Sequence, residues 1–202
     1  LATTGRPTEA EPLYREALAI ADQARQPALL WSVQGNLADF YAAQSQRPLA
    51  IFFGKQAVNT LQSVRQHLAD AEQTTQQAFL KSKEIYYKHL ADLLIAEGRL
   101  PEAQQVLEML KEQEYFEFVR RDAADDPRRT QAGYNAFEAE QLQVYEAGSR
   151  DLARLGAEYQ ALLALEETTP LSAAQQARLE ALLPELDAAK LQFNAALQQL
   201  LT

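Results

Sequence analysis

Apolar residues recur along this chain at intervals of three and four, the spacing that gathers side chains onto one face of an α-helix. The clearest run is Leu179, Leu182, Leu186, Ala189, Phe193, Ala196 and Leu200, which alternates the two steps as a heptad seam does. A looser run of Leu142, Tyr145, Leu152, Tyr159 and Leu163 precedes it, interrupted by Ser149 and Gly156. Two long helices are therefore predicted, from Ala136 to about Glu166 and from Ser172 to Leu201. The short EETTPL joint between them folds the pair back as an antiparallel hairpin, a coiled coil over residues 136–202. Ser172 with Gln175 forms a capping-box signature, whereas Pro184 removes a helical hydrogen bond and should bend the second helix.

The first 118 residues carry an internal repeat. LADFYAAQSQRPLAIFFGKQA at 37–57 aligns without gaps to LADLLIAEGRLPEAQQVLEML at 90–110, with Ala50 and Ala103 at the same offset from the leading Leu. A truncated copy opens the chain, setting Gly5, Ala10, Tyr14 and Ala17 where the next copy has Ser45, Ala50, Gly54 and Ala57. Each unit reads as a helix, a short turn near Gly or Ser, and a second helix. Ala permits close approach of the two backbones, and larger residues fill the facing holes. Between Val58 and Ile85 lies an insertion without Pro or Gly, where Val58, Leu61, Val64, Leu68 and Ala71 keep helical offsets. It reads as lengthened helices over 58–85 with a turn near Thr74, rather than as a flexible linker.

At these positions the sequence resembles the tetratricopeptide repeat, through Leu37, Ala38, Tyr41, Ala50 and Ala57 in one copy and Leu90, Ala91, Gly98, Ala103 and Leu107 in another. The copies stand 53 residues apart, wider than the roughly 34 of that repeat. Its usual terminal Pro is replaced by Asp22 and Gln62. The segments KHLADLLIAEGRLPEAQQVLEMLKEQEYFEFVRRD and PLAIFFGKQAVNTLQSVR are similar, further, to the repeat region of bacterial proteins that carry a caspase-like CHAT domain. The resemblance implies an all-α chain with a stacked helix-pair solenoid over 1–118, a charged loop over 119–135 and the hairpin over 136–202. It also implies a middle piece of a longer bacterial protein, with the CHAT domain beyond Thr202.

Composition narrows the chemistry. Leu and Ala number 67 against 10 Val and Ile, which disfavours sheets. Without Cys there is no thiol nucleophile, disulfide or Cys-ligated zinc, so any CHAT peptidase dyad lies outside this sequence. The two His, His67 and His89, stand without a neighbouring nucleophile and give no metal pattern. No catalytic residue, metal site or cofactor is expected. A net charge of −9 opposes nucleic acid and anionic lipid as partners, and no apolar run suits membrane insertion. A soluble protein of the bacterial cytoplasm is the expectation.

In the loop VRRDAADDPRRTQAGYN the calcium spacing is missing, and a self-compensating salt-bridge loop is preferred to an Arg-lined anion site. Trp31, Tyr86, Tyr87, Tyr115, Phe116 and Phe118 are read as core, with YFEF closing the last repeat. The leading function is a protein–protein interaction scaffold that takes an extended or helical peptide. The alternative is a regulatory arm packed on an adjacent CHAT domain. The resemblance puts the peptide groove on the first helix of each pair: Ser32, Gly35, Asn36, Asp39 and Ala43, then Ile85, Lys88, His89, Asp92 and Ala96. The plain alternative for several of these is a position that only faces solvent.

Overall fold

A computed structural model describes the backbone of residues 7–24, 26–67, 73–119 and 131–199, and the side chains over 10–24, 26–64, 83–111 and 131–199. The described residues are all-α: α1 (Pro7–Gln23), α2 (Pro27–Ala43), α3 (Arg47–His67), α4 (Gln73–Ala96), α5 (Leu100–Val119), α6 (Ala136–Glu166) and α7 (Ala173–Gln199). They fall into two compact units, one of residues 27–135 and one that joins residues 1–26 to 136–202.

In the unit of residues 27–135, α2 pairs with α3, α3 packs on α4, and α4 pairs with α5. The joints α2–α3 and α4–α5 close by one mechanism at equivalent repeat positions. The Gln46 N–H donates to Tyr41 O and the Ser45 N–H to Ala42 O; the Arg99 N–H donates to Leu94 O and the Gly98 N–H to Ile95 O. This double closure satisfies carbonyls that the helix end leaves open, and it needs a left-handed residue at its corner. Gly98 takes φ +71° and Ser45 φ +62°. Helix α3 is the centre of the unit, with every side chain from Leu49 to Val58 buried. Such a run is covered on all sides, and its polar members Lys55 and Gln56 are buried with the rest. Gly54 is the contact point: a Cβ there would lie 3.1 Å from Leu90 Cδ1 and 3.9 Å from Ala38 Cβ. Between α2 and α3 a buried polar ladder forms, in which Thr60 Oγ1 donates to Gln34 Oε1 (2.8 Å) and Gln34 Nε2 to Gln56 Oε1 (3.2 Å).

Lys55 is buried within α3 and satisfied there. Its ammonium donates to Glu102 Oε2 of α5 and to the carbonyl of Gly133, each at 2.5 Å. Arg99 also grips Glu102 through two nitrogens at 2.7 Å. Burial pushes the Glu102 carboxyl up, but the hydrogen bonds from Arg99 and Lys55 outweigh it and hold the group below the ordinary value.

The other unit is a three-helix assembly of α1, α6 and α7. A linear array with α1 as its truncated first repeat is therefore corrected: α1 packs on α6 and α7. The physical reason lies at Gly156, which the sequence pattern of α6 presents as an interruption. A Cβ at Gly156 would stand 2.6 Å from the Gln23 carbonyl oxygen, so the missing side chain admits the end of α1. One turn of α1 is tied further by Tyr145, whose hydroxyl donates to Asp22 Oδ2 at 2.7 Å.

Of the predicted seam, Leu182, Leu186, Ala189 and Phe193 of α7 are buried, Leu179 and Ala196 are half-buried, and Leu197 is buried beside them; on α6, Tyr145, Leu152 and Leu155 are buried. Tyr145 and Phe193 meet edge to face with ring centroids 5.6 Å apart. Ser172 and Gln175 make the expected reciprocal cap: the Ser172 N–H donates to Gln175 Oε1 (2.9 Å) and the Gln175 N–H to Ser172 Oγ (3.4 Å). Helix α7 continues through Pro184.

Thr74, the expected turn, lies in the first turn of α4. His67, the YFEF side chains, Leu68, Ala71, the charged residues 120–130 and Leu200 lie outside the residues whose side chains are described.

Candidate functional site

The predicted groove residues come from α2 and α4, and side chains join these two helices in register. Trp31 meets Tyr86 edge to face at 5.2 Å, the Tyr86 ring covers Gly35, and Asp39 meets His89. Contacts that advance together along both helices require them to run parallel. Gly35 is buried and would place a Cβ 2.3 Å from Tyr86 Cε1, so it belongs to the floor and not to the accessible surface. Lys83 caps one end of this row, its Nζ 4.2 Å from the centre of the Trp31 ring.

Around this floor the predicted residues are largely open. Asn36, Asp39, Ala43, Lys88, Asp92 and Ala96 are exposed, Ser32 and His89 are partly covered, and Ile85 is 64% exposed. Lys88 is paired with Glu84, four residues back on the same helix, and His89 is the residue turned toward α2. Residue 89 sits about 100° around the helix from residue 88, so the two side chains leave α4 in different directions.

His89 Nδ1 lies 2.6 Å from Asp39 Oδ1. That hydrogen bond raises the imidazole above its ordinary value, partial burial opposes the rise, and the charges of Asp39 and Asp92 add to it. Burial likewise raises the Tyr86 phenol, with Asp39 reinforcing the effect. The face thus offers a large exposed aliphatic side chain, open carboxylates at Asp39 and Asp92, and a His that bridges the two helices. These groups suit recognition by contact and charge. Among the described residues, no group of three or more His, Asp or Glu side chains is gathered as metal ligands. No helix among them is long and apolar enough to cross a membrane.

Sequence reasoning missed Lys55 and Asn59, which α3 directs at residues 131–135. Their signal was present: Lys55 and Asn59 stand one helical turn apart, as do Gln56 and Thr60, inside a run from Leu49 to Leu61 whose other positions are apolar or Gly. Comparison of the chain with protein-family models, with curated proteins and with solved structures finds no match.

Proposed function

We propose that this chain is a non-catalytic interaction module built on tetratricopeptide-like helix pairs, and that it seats a peptide segment of a protein partner along α2 and α4. The observation that carries this reading is the row of open side chains on two parallel helices: Asn36 and Asp39 on one, Ile85 and Asp92 on the other. The matching turn closures at Ser45 and Gly98 support the helix-pair repeat behind it. An exposed Ile beside two carboxylates favours a partner segment with an apolar anchor and a basic neighbour. The regulatory-arm reading rests on the sequence resemblance alone.

Selection of random twelve-residue peptides on the full chain tests the proposal. Enriched peptides should be basic with an aliphatic or aromatic anchor, and the double variant Ile85→Glu/Asp92→Lys should lose them. Enrichment that survives the double variant, or no enrichment at all, overturns the proposal.

A further inference from the structure

Residues 131–135 lie against α3 and α5 in the manner of a bound peptide. Asn59 grips the main chain of Ala132 at both ends: its Oδ1 accepts from the Ala132 N–H at 2.8 Å and its Nδ2 donates to the Ala132 carbonyl at 3.2 Å. One turn back, Lys55 donates to the Gly133 carbonyl, and from α5 Gln105 Nε2 donates to the Gln131 carbonyl at 3.4 Å. Three successive carbonyls and one N–H are therefore satisfied by side chains. A side-chain amide that pairs with both polar groups of one residue imitates a neighbouring strand.

The groove reads few side chains. Ala132 is 2% exposed, so its site takes only a small residue. A Cβ on Gly133 would meet nothing closer than Gln105 Oε1 at 4.0 Å, and its φ is not positive, so any residue fits there. The Tyr134 ring lies 6.2 Å from that of Phe52, under the Lys55 ammonium, and its hydroxyl accepts from Asn59 Nδ2 at 3.2 Å.

We infer that the α3/α5 face is a recognition groove for an extended peptide patterned as small residue, any residue, Tyr, and that residues 131–135 are its tethered occupant. A partner segment of that pattern displaces them. The groove uses none of the α2 and α4 residues assigned above, and it stands or falls apart from them. Tethering gives the internal segment a millimolar effective concentration, so the unaltered chain binds such a peptide weakly.

The test uses the full chain and a fluorescein-labelled peptide QAGYNA, corresponding to residues 131–136. Ala132→Glu puts a carboxylate where only a small apolar group fits, and Tyr134→Ala removes the aromatic anchor; both release the internal segment and leave the groove intact. Fluorescence polarisation should show peptide binding at least about tenfold tighter to either variant than to the parent chain. Adding Asn59→Ala to either variant should abolish that gain. Absence of saturable binding to both variants, or a gain that persists without Asn59, overturns the proposal. So does loss of helical circular dichroism in both variants, because the segment is then a part of the fold and not a ligand.

Discussion

Replacing Asp22 by Asn removes a charge from a site that disfavours it. Asp22 lies in the last turn of α1, and burial lifts its carboxyl from its ordinary 3.8 to about 6, against the hydrogen bond from Tyr145 that lowers it. The folded chain thus holds the proton more tightly than the unfolded chain. Stability from this group is fully present below pH 3.8 and is lost as pH rises through about 6. With about 1.4 kcal/mol for each pKa unit, the loss at pH 8 amounts to about 3 kcal/mol. Asn keeps an oxygen to accept from the Tyr145 hydroxyl and never ionises, so it stands in for the protonated acid at every pH. Urea unfolding of both proteins, followed by far-UV circular dichroism from pH 4 to pH 8, reads the difference. Subtracting one from the other cancels the other carboxylates. Asp22→Asn should match the parent near pH 4 and exceed it by about 3 kcal/mol at pH 8. A variant less stable at pH 8, or a difference that does not change with pH, would refute the burial of this carboxylate between α1 and α6.

Ser45→Gly should raise stability by about 0.5–1 kcal/mol, since the left-handed strain relieved exceeds the added freedom of the unfolded chain; Gly98→Ser should lose a similar amount, and urea midpoints check both. Gly156→Ala forces a methyl against the Gln23 carbonyl and should cost roughly 1–3 kcal/mol, whereas an unchanged urea midpoint would contradict that close approach. Asp39→Asn leaves an oxygen facing His89 but removes the negative charge that favours the imidazolium, so an NMR titration should find the imidazole titrating at lower pH than in the parent chain. His89 stabilises the α2–α4 contact fully below pH 6.5 and loses this effect as pH rises through its elevated value, and Asp39→Asn should remove that dependence.

Helix periodicity made the hairpin legible, because Leu182, Leu186, Ala189 and Phe193 keep alternating steps of three and four and are all buried. The helix pairs were legible for a related reason: the two copies preserve the turn as well as the core, down to the left-handed corner at Ser45 and Gly98. The partner of α1 was not. Leu18, Ala19 and Ala21 bury equally well against any apolar helix, and the deciding contact is an absent side chain more than 130 residues away at Gly156. The pairing on the α2–α4 face was half legible. Spacing placed Asp39 and His89 on the two groove helices, but which α4 side chain reaches α2 depends on rotation about α4. The docking of residues 131–135 escaped the sequence because main-chain hydrogen bonds leave no pattern in the residues that accept them.

Chemical-shift mapping on the labelled full chain, titrated with a peptide enriched by selection, tests the interaction reading most directly. The largest amide shifts should fall on Asn36, Asp39, Ile85, Lys88 and Asp92, with the His89 imidazole moving as well. Shifts concentrated on α6 and α7, or scattered without saturation, would contradict the assignment of α2 and α4 as the binding face.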